Sequence, residues 1–385
     1  MRAVRVFLTT VMFVFTPVIG AQAPPTDNFE VLWAVENVPN TSGKPAGQWA
    51  ESIDFGNAPI RRDVWILHEA ELGFPVEGPH VFDGNTAAEL RLRSSIRRAV
   101  SSRVQDPHAS GYGILDIETW QPVWSMCSNI PSSAGPLAKD RDFKDDWRRF
   151  VQDRRPRVLD GVPQEHLEAA YARSFDTAAR RLFEMCIEEC RRTRPGVRWG
   201  FYMYPPRFAA ESNGSLGAPG VDSGVESGLD WLYDTSDALF PDLCPLQFTI
   251  AEPEQDREPT ENSPEENLAS IEHIIVRAMN AAKGKPVVPV VWLRYPRTNK
   301  QYGDKLLNIT NLRQSLEGSR NVGAAGVAFW DVLHSSERTE EVQSFVTRSL
   351  VPMVSALHGA DGATSTEVVP AVMAVQEEPY STGRM

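Results

Sequence analysis

Strand-like and helix-like segments alternate along most of this 385-residue chain, and this alternation limits the available folds more than any other feature. Apolar side chains recur every three or four residues, as on one face of a helix, at residues 87–103, 163–192, 266–282, 306–318 and 340–353. Short apolar or aromatic runs, typical of buried strands, occur at residues 29–35, 64–67, 114–117, 197–204, 246–250, 286–292 and 323–330. Strands that alternate with helices form parallel βαβ units, so the sequence predicts an α/β fold.

About seven parallel units favour a distorted (β/α) TIM-like barrel over an open doubly wound sheet. The reason is the position of polar and aromatic residues, because Glu118, Tyr202 and Trp330 stand at the predicted carboxyl ends of three different strands. Barrel enzymes place their active sites at that end. We expect the barrel domain to span residues 24–358.

Two carboxylates, Asp116 and Glu118, lie two residues apart at the end of one predicted strand. Successive strand side chains point to opposite faces, so this pair shares one face while Leu115 and Ile117 share the other. We expect helices to cover the apolar face and the acidic face to look into a polar cavity, because unpaired charges are too costly in a core. Neighbouring carboxylates repel, so one retains a proton and can serve as a general acid. An exposed edge strand with two solvated acids is the alternative.

Aromatic residues follow the acidic pair at once, at Trp120 and Trp124, with Pro122 between them, and aromatic faces suit a sugar ring. This stretch resembles the signature of the hyaluronidase family of glycoside hydrolases, in which a D-x-E pair ends a barrel strand and a W-x-P segment follows. The resemblance extends from about residue 29 to residue 353. Its other matches, in chain order, are Phe29 with Trp33, Glu71-Leu72-Gly73, Arg194-Pro195 with Trp199-Gly200-Phe201-Tyr202, Trp231-Leu232 with residues 236–241, and Gly326-Val327 with Trp330.

The resemblance implies a secreted endo-glycosidase that hydrolyses N-acetylhexosaminidic bonds of hyaluronan or chondroitin with retention, so the expected partner is a glycosaminoglycan polysaccharide. It makes Glu118 the general acid and base, and it makes Asp116 the group that orients the substrate acetamido group. The acetamido oxygen is then the nucleophile, an exception to the usual two-carboxylate scheme. Tyr202 would hydrogen-bond the acetamido group, and Trp330 would wall the pocket for its methyl. Plain core packing is the alternative for both aromatic residues.

Several positions depart from the family pattern. A tyrosine expected after the second strand is His68, with Glu69 beside it, and another expected after residue 241 is Cys244. Arg207 replaces a family cysteine, and both family disulfides are absent. The acid pair is thus retained while part of the sugar-binding wall has changed. His68, Glu69 and Cys244 remain candidate substrate-binding residues.

Two other functions stay open at this point. A secreted carbohydrate-binding protein with little or no turnover, built on the same barrel, is favoured by His68 and Cys244. A chitinase-like hydrolase also uses a D-x-E pair, but the longer run of spaced aspartates is not seen before Asp116. The sequence carries none of the usual motifs for nucleotides, zinc proteases or serine hydrolases, and its four cysteines match no zinc or redox spacing. We expect no metal and no cofactor.

Residues 1–23 have the pattern of a secretory signal peptide. Arg2 and Arg5 precede an apolar run at residues 6–19, and small residues follow it. The run is shorter than the roughly 20 residues that a membrane-spanning helix needs, so we favour a cleaved signal over an anchor. The sequence therefore predicts a secreted protein with no membrane attachment after signal removal.

The remaining features concern the surface and the carboxyl terminus. Candidate glycosylation sequons lie at Asn40, Asn213 and Asn308. Residues 359–385 are rich in Gly, Ser, Thr, Pro and Glu and predict a disordered C-terminal tail. The net charge of -12 argues against nucleic-acid binding, and a polyanionic substrate would need a local basic surface. We expect a monomer.

Overall fold

A computed structural model describes residues 28–37, 48–74, 86–118, 120–127, 143–205, 228–243, 263–295 and 303–359. The strands are β1 (Glu30–Trp33), β2 (Glu36–Asn37), β3 (Ile60–Arg61), β4 (Val64–His68), β5 (Gly111–Asp116), β6 (Val197–Phe201), β7 (Val290–Trp292), β8 (Gly326–Trp330) and β9 (Val332–Leu333). The α-helices are α1 (Trp49–Ser52), α2 (Glu69–Leu72), α3 (Thr86–Arg103), α4 (Phe143–Arg154), α5 (Leu167–Thr193), α6 (Asp230–Thr235), α7 (Pro264–Ala282), α8 (Ile309–Asn321), α9 (Ser336–Phe345) and α10 (Val351–Gly359).

Parallel pairing runs around the strands nearly in chain order. One sheet has the order β3-β1-β8-β7, and another has the order β4-β5-β6. Residues 239–242 join the two sheets through parallel bridges from Phe240 to Tyr202 and from Asp242 to Val290. The strand positions are therefore β1, β4, β5, β6, residues 239–242, β7 and β8. This arrangement confirms the prediction of an α/β fold with about seven parallel strands.

The strands bury two separate apolar layers. Tyr112 and Ile114 of β5 belong to an inner cluster, which also contains Leu32, Val64, Ile66, Ala238, Phe240, Val288, Val290 and Ala328. Leu115 and Ile117 belong to the outer cluster, in which the helices pack on the strands. The predicted two-faced character of this strand is confirmed, and the side chain of Asp116 follows the inner series.

A tryptophan and two glycines fix the spacing between β5 and its neighbours. The Trp199 ring covers Gly113, where a Cβ atom would lie 2.0 Å from the ring atom Cε3. Trp199 Nε1 donates a hydrogen bond of 3.2 Å to the carbonyl of Arg194. A Cβ atom on Gly200 would lie 2.1 Å from the Ala238 carbonyl oxygen. The close packing of the R-P…W-G segment thus positions β6 between β5 and residues 239–242.

Most predicted elements are present, but several bounds differ. Helix α5 begins at Leu167, because Gln164–His166 form a 3-10 turn before it. The last helix begins at Ser336, where the Ser335 side chain accepts the Arg338 amide hydrogen, and helical structure continues through a π-helical turn to Gly359. Helix α4 was not predicted from the sequence. The strand expected at residues 246–250 lies outside the described residues, and residues 239–242 provide the pairing beside β6.

Several predictions concern residues that lie outside the described part of the chain. The signal sequence at residues 1–23, the tail beyond residue 359, Cys244, Asn40 and Asn213 lie outside the described residues. Asn308 is described: it is exposed and caps α8, where its side chain accepts the Asn311 amide hydrogen. In the part of the chain that the structure covers, no helix has both the length and the apolar character needed to cross a membrane.

Candidate active site

The carboxyl ends of the parallel strands bring polar and aromatic side chains together. His68 and Asp116 are the last residues of β4 and β5, and they are direct partners in the strand register. Tyr202 follows β6, and its amide donates a hydrogen bond of 3.0 Å to the Leu115 carbonyl. Trp330 ends β8. Residues that the sequence placed far apart therefore meet at the end of the barrel that is typical of active sites.

Asp116 has two carboxylate oxygens in different surroundings. The residue is only 7% exposed. Its Oδ2 lies 2.6 Å from Nδ1 of His68. Its Oδ1 is buried and has no hydrogen-bond partner among the described residues. A buried carboxylate oxygen without a donor is costly, so this oxygen is suited to accept a hydrogen bond from a bound ligand.

Glu118 lies just beyond β5 and is half-buried. Burial raises the pKa of its carboxyl to about 7, and the nearby charges of Asp116, Asp242 and Glu69 act in the same direction. Charged His68 opposes this rise without cancelling it. A carboxyl with a pKa near neutrality can donate a proton and take one back, which is the property a general acid–base catalyst needs.

His68 bridges two carboxylates. Its Nε2 lies 2.9 Å from Oε2 of Glu36, opposite the contact with Asp116. Burial alone lowers the pKa of His68, but the hydrogen bonds to Asp116 and Glu36 outweigh burial and raise it to about 10. Glu36 in turn lies 3.3 Å from Nη2 of Arg103. His68 is therefore an imidazolium at neutral pH, inside a row of alternating charges.

An aromatic wall stands beside the acids. The Trp330 ring centroid lies 5.5 Å from that of Tyr202, 4.6 Å from that of Trp292 and 6.0 Å from that of His68. Trp292 Nε1 donates a hydrogen bond of 3.3 Å to the Tyr202 hydroxyl. Trp330 Nε1 is buried and lacks a partner among the described residues. The wall thus offers an unused donor as well as apolar surface.

Most of the predicted site residues are brought together, with one correction. Glu69 begins α2, half-buried, and its charge reaches Glu118. Trp120 and Trp124, which we expected to face a sugar, are instead buried in the outer cluster against Phe175, with ring centroids at 6.3 and 5.6 Å. They follow the strand on the helix-covered side, so they support the scaffold and do not line the site.

Three further residues at this end of the barrel were not predicted from the sequence: Glu36, Asp242 and Trp292. Each continues an alternating inner series, after Ala34, Phe240 and Val290 respectively. This alternation is the signal that would have found them. Within the described residues, no group of three or more His, Cys, Asp or Glu side chains is arranged to hold a metal ion.

Comparison with known proteins gives a consistent family assignment. The hyaluronidase family model matches residues 84–369. Hyaluronidase-3 of Mus musculus is 26% identical over 355 residues, covering 86% of this chain and 78% of the mouse protein. Hyaluronidase-3 of Homo sapiens is 28% identical over 351 residues, covering 86% of this chain and 77% of the human protein.

Solved structures show the same fold. The crystal structure of bee venom hyaluronidase has 19% sequence identity and a TM-score of 0.56, covering 85% of this chain and 99% of the bee protein. The bee enzyme in complex with a hyaluronic acid tetramer gives 18% identity and a TM-score of 0.59, covering 85% and 98%. The family model spans most of the barrel, including the acidic pair and the aromatic wall. The chain belongs to the hyaluronidase family of glycoside hydrolases.

Proposed function

We propose that this protein is a secreted endo-glycosidase that hydrolyses N-acetylhexosaminidic bonds of hyaluronan or chondroitin by a retaining, substrate-assisted mechanism. The observation that carries the proposal is the pair of unlike carboxyls at the end of β5. Glu118 has a pKa of about 7, and Asp116 presents one buried oxygen without a partner among the described residues. One group suits proton transfer, and the other suits a fixed hydrogen bond to substrate.

In the first step, Glu118 donates its proton to the glycosidic oxygen as the bond to the anomeric carbon breaks. The carbonyl oxygen of the substrate acetamido group attacks that carbon and closes a five-membered oxazolinium ring. Asp116 Oδ1 accepts the hydrogen bond of the acetamido N–H and stabilises the positive charge that develops on the ring. Holding the acetamido group against the anomeric carbon makes the attack unimolecular, which lowers its entropic cost.

In the second step, the Glu118 carboxylate takes a proton from water, and the water oxygen bonds to the anomeric carbon as the ring opens. Two inversions give net retention. Tyr202 would contact the acetamido group through its hydroxyl, while Trp330 would pack on the acetamido methyl. The T-shaped contact of these rings, at 82°, keeps a hydroxyl and an indole face on adjoining walls.

The raised pKa of Glu118 determines how the reaction should depend on pH. Glu118 must be protonated for the first step, so kcat/KM should be highest below pH 7 and fall about tenfold per pH unit above its pKa of about 7. The measurement is kcat/KM from pH 4 to pH 9 on the polysaccharide that is cleaved best. A value that stays constant up to pH 9 would remove Glu118 as the proton donor.

A carbohydrate-binding protein with little turnover is the second candidate, and the His68 contact favours it. The imidazolium occupies one oxygen of Asp116 and introduces a charge where the family pattern has a tyrosine. If this charge misaligns the acid pair, sugar would bind without being cleaved. Cys244, the other altered position, lies outside the described residues.

The test is digestion of hyaluronan, chondroitin, chondroitin sulfate and chitin oligomers by the purified protein, with product masses read by mass spectrometry. The proposal expects oligosaccharides of hyaluronan or chondroitin that carry one added water. Cleavage of chitin oligomers alone would instead support a chitinase-like hydrolase. Binding of glycosaminoglycan oligomers without any cleavage would establish the binding protein.

Secretion is part of the proposal and has its own test. The signal pattern at residues 1–23 and the sequon at Asn308, which is exposed, support export through the secretory pathway. Amino-terminal sequencing of the protein expressed in eukaryotic cells should find, in the medium, a chain that begins near residue 24. A chain retained in the cytosol with Met1 in place would contradict secretion.

A further inference from the structure

We propose that Glu36 is a positioning residue, and that Glu36 and His68 together form a relay that holds Asp116 in the orientation needed for the acetamido group. The relay consists of Glu36, His68 and Asp116, and it rests on the function proposed above. Glu36 has no counterpart among the residues that the sequence motifs single out. Its role becomes apparent because the structure places Glu36 of β2 beside His68 at the end of β4.

The geometry of the relay is a continuous row of short contacts. Glu36 Oε2 lies 2.9 Å from His68 Nε2, and His68 Nδ1 lies 2.6 Å from Asp116 Oδ2. Both carboxylates are nearly buried, at 9% and 7% exposure. An imidazole clamped at both nitrogens has one ring orientation available. It therefore fixes the rotation of the Asp116 carboxylate, and Oδ1 is left facing away from the relay.

Groups from helices α2 and α3 hold His68 and its partner Glu36 in place. Arg103 of α3 contacts Glu36 at 3.3 Å and Glu71 of α2 at 2.6 Å. Glu71 also accepts the amide hydrogen of His68 at 3.1 Å. Glu118 lies on the other side, close enough for its pKa to respond to the His68 charge. Positive and negative charges thus alternate from the helix layer to the site.

The balance of charge explains why a histidine here needs Glu36. An imidazolium alone beside Asp116 would offset the negative charge that stabilises an oxazolinium ion. The Glu36 carboxylate offsets the imidazolium instead, so the three groups carry a net charge of one negative unit, the same as Asp116 alone. The relay therefore holds Asp116 in place through a charged hydrogen bond and keeps the net negative charge that stabilises the oxazolinium ion.

The test compares Glu36→Gln, which keeps the shape but removes the charge, with Glu36→Leu, which removes both. The matched control is Glu189→Gln, because Glu189 is also a buried acid, held by Arg93 and Arg97 in the helix layer. Each variant is assayed for kcat and KM. Its His68 ring is titrated by NMR, with His68→Gln used to assign the signal.

The relay predicts a kcat about tenfold lower for Glu36→Gln and about 100-fold lower for Glu36→Leu, with KM within about twofold of wild type. It also predicts that the midpoint of the His68 titration falls by at least about one pH unit in Glu36→Gln. The control should keep both the wild-type kcat and the wild-type midpoint. Glu36 variants that match the control in either respect would overturn the relay while leaving the proposed function intact.

The two proposals fail in different ways. If the wild-type protein cleaves none of the four test substrates, the proposed function is wrong, irrespective of the results with the Glu36 variants. The NMR titration needs no turnover and still decides the relay, because a lowered His68 midpoint in Glu36→Gln supports it and an unchanged midpoint overturns it. Should Glu36→Leu fold poorly, the nearly isosteric glutamine variant carries the test alone.

Discussion

Replacing Glu118 with glutamine should abolish hydrolysis, lowering kcat by about 10³-fold or more while the protein stays folded. Glutamine has nearly the same shape but cannot donate the proton that the leaving oxygen needs. General acid–base catalysis contributes on the order of 10²- to 10⁴-fold, and here one residue serves in both steps. The measurement is kcat on the best polysaccharide substrate, with product masses read out. A kcat within about threefold of wild type would remove Glu118 from the mechanism.

The stability of Glu118→Gln provides its control. Burial raises the pKa of Glu118 from 4.5 to about 7, so the folded state favours the protonated form. The contribution to stability is fully present below about pH 4.5 and is lost as the pH rises through 7, at a cost on the order of 3 kcal/mol. Glutamine does not ionise and avoids this loss. The variant should therefore have a Tm at pH 8 equal to or above that of wild type, and a clearly lower Tm would indicate damage to the fold.

Asp116→Asn should also be severely impaired, with kcat about 10²- to 10³-fold lower and KM changed much less. His68 Nδ1 donates to one oxygen of Asp116 in the wild type, and the asparagine oxygen would occupy that place. The amide nitrogen would then point where Oδ1 points now, so that a donor would face the acetamido N–H. The variant loses both the hydrogen bond and the negative charge that the oxazolinium ion requires.

The control for this variant is Asp176→Asn. Asp176 is a partly buried acid of α5 whose Oδ1 accepts the Trp124 amide hydrogen at 2.6 Å, and an asparagine oxygen can do the same. This change removes a carboxylate from the scaffold without touching the strand ends, so turnover should remain at the wild-type level. Near-normal turnover in Asp116→Asn as well would show that Asp116 is a structural acid.

Local patterns were sufficient to predict the barrel. Six strands, β1, β4, β5, β6, β7 and β8, coincide with predicted apolar runs, and most helices show apolar residues at three- and four-residue spacing. The parallel order follows from the alternation of these strands and helices. Helix α4 was not predicted because its apolar face is short, with Trp147, Phe150 and Val151 as its buried apolar residues. The strand position at residues 239–242 was also not predicted, because this segment is short and pairs with its neighbours through isolated bridges.

The acid pair and its neighbours Tyr202 and Trp330 could be located from their spacing and the family resemblance, but Glu36, Asp242 and Trp292 could not. Glu36 continues the inner alternation of Leu32 and Ala34, but it lies beyond the end of both β1 and the apolar run at residues 29–35, so the series was not extended to it. Its contact with His68 joins residues 32 positions apart. For Trp120 and Trp124 the prediction from sequence was wrong. Their position beside the acids suggested that they contact a sugar, whereas their side chains pack in the helix layer. Contacts between elements are set by the closure of the barrel, which no local pattern encodes.

The most direct test of the central claim is the configuration of the first product, followed by proton NMR during cleavage of a hyaluronan or chondroitin hexasaccharide. An acid pair that uses the acetamido group as nucleophile retains configuration at the anomeric carbon. We therefore expect the β-anomer of the new N-acetylhexosamine reducing end to appear first, with the α-anomer growing in later by mutarotation. Initial release of the α-anomer would require direct attack by water and would contradict the roles assigned to Asp116 and Glu118.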